Sequence, residues 1–210
     1  METENAYGLL NGDLAEVAII GSKGNPYEAT MTVSQAKQKI KELFMPMVKA
    51  NKIIGMCGGN HEERIFKVTG NDISLDIAMF LGIEDIYDPQ GLYGSVNIGD
   101  VSYTFYMKHG KGGGKKRAYK MRKMEEMGQV VKNCDLYIMA HIHDVLTFQI
   151  EPKFIDAANN TEVRIKQTFV SSSSYMDYGG YAEDFDFEPG KTGSPRIRLN
   201  GLRKDIHVSI

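Results

Sequence analysis

With 210 residues, 42% of them apolar and 25% charged, the chain can bury one sizeable core and is too apolar to stay disordered. Its formal net charge of -2 gives no overall attraction to polyanions. The longest apolar runs, such as Val17 to Ile20, are far short of the roughly 20 residues a membrane helix needs, and the acidic start Met-Glu-Thr-Glu-Asn has no export signal, so the expected location is the cytoplasm.

The run Tyr7 to Leu10 reads as a short buried strand ending in the turn residues Asn11-Gly12-Asp13. From Ser34, a plausible N-cap, Ala36, Ile40, Leu43, Phe44 and Met47 recur at helical spacing, and Pro46 predicts a kink or stop. Ile53 to Met56 is a second strand, followed by Gly58-Gly59-Asn60-His61-Glu62, a tight turn into a helix. Asp72 to Leu81 is helical, with Ile73, Ile77 and Phe80 on one side.

Val96 to Ile98 and Val101 to Met107 predict a hairpin with Gly99-Asp100 as its turn. The second strand runs into His109 and a basic glycine loop from Lys111 to Lys116, then a helix from Tyr119 to Val131 buries Met121, Met124, Met127 and Val131. A strand from Leu136 to Ala140 ends at His141-Ile142-His143, and strand-like runs follow at 145–150, 163–170, 196–199 and 206–210. Tyr175 to Gly193 reads as an irregular loop bordering a site. Cys57 and Cys134 adjoin apolar runs and read as reduced core thiols. Nothing marks a domain boundary, so residues 1–210 are expected to form a single domain.

Four of the five histidines, His61, His109, His141 and His143, stand just after predicted strands. In open α/β sheets the loops beyond the carboxyl ends of strands form the binding crevice, where Asp13, Asn60 and these imidazoles would meet. Carboxylate, amide and imidazole donors suit borderline divalent metals. Taken singly each residue has an ordinary reading. Asp13 is a turn carboxylate, His61 and Glu62 start a helix, His109 lies in a surface loop, and His141 and His143 share a strand face. The cluster from Lys108 to Lys123 is either a solvated helix face or a phosphate-binding one, and His207 has no motif around it.

The ordered set Gly12-Asp13, Gly59-Asn60-His61-Glu62, His109-Gly110 and His141-x-His143 resembles the motifs of the calcineurin-like metallophosphoesterases. The segments 59–64, 109–114 and 193–199 are similar to the branch encoded by bacteriophages and prophages, for which the location would be the cytoplasm of the bacterial host. The resemblance implies an α/β fold, a layered sandwich of two mixed sheets flanked by helices. It also implies a metal-dependent phosphoesterase with two divalent metals, manganese first and iron, zinc, nickel or cobalt as alternatives.

On matching positions, Asp13 would bridge the metals, Asn60, His109 and His141 would complete one, and His143 would belong to the other. His61 would be the general acid, oriented by Glu62. Lys115, Lys116 and Arg117 would bind the substrate, preferably a phosphodiester of nucleic acid or a nucleotide.

The family's usual first strand, ending in Asp-x-His, has no counterpart before Asp13, and Ala140 replaces a usual glycine. The expectation is a family fold lacking its N-terminal strand, with one metal site weak or empty. The missing strand reflects truncation, a second chain or copy that supplies it, or a one-metal or catalytically impaired protein. In the last case a phage protein with a partial metal site would bind nucleic acid or a host protein.

Overall fold

A computed structural model describes residues 4–20, 27, 29–175, 183 and 190–209. The loop expected at 175–193 lies mostly outside them. The chain divides into two units, Met1–Leu92 and Tyr93–Ile210.

In the first unit, β1 (Gly8–Asn11), β2 (Ile53–Cys57) and β3 (Tyr87–Asp88) form a parallel sheet in the order β1-β2-β3. Asn11 pairs with Cys57, so β1 and β2 end at one level. The segments that follow, with Asp13 and Asn60, therefore leave the sheet side by side. Helices α1 (Val33–Lys49), α2 (Asn60–Thr69) and α3 (Ile73–Leu81) accompany it. Leu10, Ile53 and Met56 of the strands bury against Ile40 of α1 and Ile73, Ile77 and Leu81 of α3. Each such aliphatic side chain contributes about 2 kcal/mol when fully buried.

Helix α1 starts earlier than Ser34. Thr32 caps it, its hydroxyl accepting from Gln35 N (3.3 Å) while Gln35 Oε1 accepts from Thr32 N (2.9 Å). This reciprocal box satisfies two end donors, which a lone Ser34 would not. Pro46 neither stops nor breaks the helix, which runs on to Lys49. So near the C-terminal end its missing N–H removes one ladder bond only. Leu43 is 60% exposed, and Phe80 is 39% exposed beneath Lys41, whose Nζ lies 3.9 Å from the ring centre. The buried stripe of α3 follows the four-residue step 73, 77, 81, which leaves Phe80 at its margin.

In the second unit, β4 (Leu92–Ile98), which starts at the junction, β5 (Val101–Lys108), β6 (Leu136–Met139), β7 (Thr147–Ile150) and β10 (Gln167–Ser171) form a mixed sheet ordered β4-β5-β6-β10-β7. Helix α4 (Arg117–Val130) connects β5 to β6, which run parallel with Lys108 opposite Met139. As in the first unit, neighbouring parallel strands end level, here delivering His109 and His141. The core stacks Phe169 between Tyr137 and Phe148, at centroid distances of 4.6 and 4.9 Å, over Met124 and Met127. Burial, the main cause, pushes the Tyr137 phenol up to about 12. Its hydroxyl donates to Val131 O at 2.8 Å.

The run 163–170 is two strands. β9 (Thr161–Arg164) pairs with β8 (Lys153–Asp156) in an exposed hairpin, while β10 is buried along its length. A second hairpin, β11 (Arg196–Leu199) with β12 (Ile206–Ser209), is stapled by Tyr103, whose hydroxyl donates to Asn200 O (2.7 Å) and accepts from Asp205 N (2.9 Å). His207 is exposed on β12. Cys57 and Cys134 are buried thiols without a disulfide, as expected. The α/β class expected from the sequence is the one the structure has. Among the described residues no helix is long and apolar enough to cross a membrane.

Candidate metal centre

In the first unit two loops cross beyond the ends of β1 and β2. Gly12 has φ +70°, and a Cβ on it would lie 2.7 Å from Gly58 O and from Gly59 Cα. No other residue fits that crossing without displacing backbone. Asp13 follows, also left-handed at φ 49°. Its Oδ1 accepts from His61 N at 2.9 Å, the first turn of α2, where unpaired N–H groups favour a carboxylate. Asn60, the first residue of α2, is half-buried beside it in sequence.

The His61 ring lies between two carboxylates. Nε2 stands 3.6 Å from Asp13 Oδ2, and Nδ1 contacts Glu16 Oε2. Glu16 is itself held by Arg64, Nη1 to Oε1 at 2.7 Å. Burial would raise the Glu16 carboxyl, but the hydrogen bonds and charges of His61 and Arg64 outweigh it and hold it below the usual range. Glu16 is therefore ionised at neutral pH.

Glu62 does not orient His61. Successive helical residues point about 100° apart, so its side chain turns away from the ring of its neighbour. It is 2% exposed, its Oε1 accepts from Ala15 N at 3.0 Å, and Oε2 has no hydrogen-bond partner among the described residues. Burial first, and the Asp13 charge second, push its carboxyl upward. Its work is to latch the 13–16 loop onto α2. The carboxylate at His61 Nδ1 is that of Glu16, which the sequence did not single out. Its only signal was an acid three residues past Asp13 in the same loop.

In the second unit His109, 6% exposed, follows β5, and His141 follows β6. Their rings meet edge to face with centroids 5.3 Å apart and planes at 72°, a separation that suits two imidazoles on one cation. His141 Nε2 lies 2.9 Å from Gly112 O. A carbonyl only accepts, so Nε2 carries the proton and the lone pair stays on Nδ1. His141 and His143 have φ of 63° and 48°, and His143 is exposed. Asp144, which follows His143, is fixed by Lys120 (3.3 Å) and by its carbonyl accepting from Ser171 Oγ (2.6 Å).

The basic segment is less available than its composition implies. Lys120 is buried against Asp144, Arg117 Nε is 3.6 Å from the same carboxylate, and Arg122 and Lys123 pair with Glu126. Lys111, Lys115 and Lys116 are exposed.

No family model matches the sequence, and no curated protein does. Two solved structures are similar. One is wild-type Vps29 complexed with zinc from Entamoeba histolytica, at 13% identity and TM-score 0.36, over 80% of this chain and 87% of that one. The other is vacuolar protein sorting 29 from Cryptosporidium parvum, at 14% identity and TM-score 0.36, over 96% and 94%. Scores this low carry no argument about activity, ligands or partners.

Proposed function

We propose that the chain hydrolyses a phosphoester with divalent metals held by Asp13, Asn60, His109, His141 and His143, as calcineurin-like metallophosphoesterases do. The observation that carries this reading is in the backbone. Among the described residues, the non-glycines with positive φ are Asn5, Asn51, Asn133, Asn160, Asp13, His141 and His143. Asparagine, aspartate and histidine visit that region more readily than other side chains. The three that are not asparagine all belong to the ligand set drawn from the sequence motifs. Such residues cost of order 1 to 3 kcal/mol each and gather where the surroundings fix a side chain for function.

The donor set fits the group. Two imidazoles stand in edge contact, and His141 keeps its Nδ1 lone pair. Mixed oxygen and nitrogen donors suit borderline divalent metals, and manganese, which the resemblance implies, is the first to test, with iron, zinc, nickel and cobalt as alternatives. Bound metals would supply an activated water and neutralise the phosphoryl oxygens. The protein's own groups do the rest. Asp13 and Asn60 are presented from level strand ends, and His61, whose Nδ1–H the Glu16 carboxylate accepts, would deliver to the leaving oxygen the Nε2 proton of its imidazolium form, beside the Asp13 carboxylate. Glu16 fixes the other face of that ring. Lys115 and Lys116, with Arg117 at the start of α4, attract a phosphodiester, so nucleic acid or a nucleotide is the substrate class.

The test is hydrolysis of bis(p-nitrophenyl) phosphate with added manganese. Metal-dependent turnover that is abolished in both Asn60→Ala and His109→Ala is the expected result. No turnover with any of the five metals would instead identify a non-catalytic protein that binds nucleic acid or a host partner through a partial site.

A further inference from the structure

We propose that Tyr119 is a positioning residue for His141, acting through the backbone of the glycine loop. The acceptor that sets the His141 tautomer is the carbonyl of Gly112, in a stretch with glycine at 110, 112, 113 and 114. Such a stretch has the largest conformational freedom a chain can have. Left to itself it would not hold one carbonyl in place.

What holds it is an aromatic ring. Gly114 lies so close on the face of Tyr119 that a Cβ there would collide with the ring carbons, and one on Gly112 would lie 3.1 Å from the Tyr119 hydroxyl oxygen. The ring thus backs the loop from 114 to 112. Gly110, at φ +105°, closes the other side, where a Cβ would meet Met139 at 3.1 Å and His141 Cβ at 3.4 Å. Gly113 faces open space.

Tyr119 is 37% exposed, and among the described residues its hydroxyl makes no hydrogen bond. Lys123, one turn further along α4, places Nζ 5.6 Å from the ring centre, and its Cε would lie 3.8 Å from a Cβ at Gly112. The chain of constraint runs from α4 through the ring to Gly112 O, and from there to the Nε2–H of His141. It ends in the lone pair at Nδ1. The inference rests on the proposed function only for that last link, His141 as a metal ligand.

The test follows the ring nitrogens of His141 in metal-free 15N-labelled protein by long-range proton–nitrogen correlation, assigned with His141→Ala, and zinc affinity by titration. Wild type is expected to show one Nε2–H tautomer. Tyr119→Ala and Gly114→Ala should give mixed tautomers and a fall in zinc affinity of about 10-fold or more, the usual effect of losing a group that orients a ligand. Tyr119→Phe, which keeps the ring, and Gly113→Ala should match wild type in both.

Wild-type tautomer and affinity in Tyr119→Ala and Gly114→Ala would overturn the proposal, as would equal disturbance in Tyr119→Phe or Gly113→Ala. Should Tyr119→Ala not fold, judged by the His109 and His207 signals, Gly114→Ala decides. Should wild type take up no zinc, the metal reading fails while the tautomer readout still decides this one.

Discussion

Alanine in place of His61 is expected to lower the turnover of an alkyl phosphodiester by about 10²- to 10⁴-fold, the range for loss of a general acid. The drop should be much smaller with a p-nitrophenyl ester. An alkoxide needs a proton as it departs, whereas p-nitrophenolate leaves unprotonated. The ionised Glu16 carboxylate can only accept, so it takes the Nδ1–H, and the proton His61 would deliver is the second one of the imidazolium, at Nε2, which faces Asp13. Glu16→Gln, which keeps an acceptor but removes the charge, should show the same leaving-group pattern with a smaller loss. The check is the ratio of rates on the two substrates for wild type and both variants. Equal losses on both would remove His61 from the role of acid.

Gly59→Ala is expected to destabilise the first unit by about 3 kcal/mol, at the upper end for overpacking a close contact. A Cβ at Gly59 would fall inside contact distance of Asp13 N and Oδ1, and 2.5 Å from Glu62 Oε2. Two of those atoms belong to a loop already fixed by the Ala15–Glu62 and His61–Asp13 hydrogen bonds, so they have nowhere to go. Gly70→Ala is the control. Space there is open and only the φ of +75° is unfavourable, for a cost nearer 1 kcal/mol. Urea unfolding of the two variants separates them, and similar midpoints would show that the 12–13 and 58–59 loops are not locked together.

Strand ends and glycine turns were the most legible part of the sequence. β1, β2, β6 and the start of α2 fall within a residue of where apolar runs and turn residues place them, because short buried strands bounded by Asn, Gly and Asp have few other readings. Errors came where tertiary partners decide. Thr32 rather than Ser34 caps α1 because Gln35 reciprocates, and the run 163–170 divides because its halves join different sheets.

At the candidate site, motif order named the residues but not their neighbours. Adjacency in sequence suggested Glu62 as the partner of His61, whereas helical geometry sends Glu62 inward and leaves Glu16, from another loop, at Nδ1. Likewise the basic segment read as one surface, yet Asp144 and Glu126 take up Lys120, Arg122 and Lys123. Charge counts do not reveal pairing across turns. The left-handed backbone at Asp13, His141 and His143 could not be read from residue types at all, since each is also common in ordinary turns.

Metal uptake tests the whole account most directly. Metal-free protein dialysed against manganese or zinc should retain stoichiometric metal by elemental analysis, and Asp13→Ala and His141→Ala should each retain far less while keeping the wild-type circular dichroism spectrum. A wild-type protein that comes out of dialysis without metal, or variants that hold as much as wild type, would contradict it.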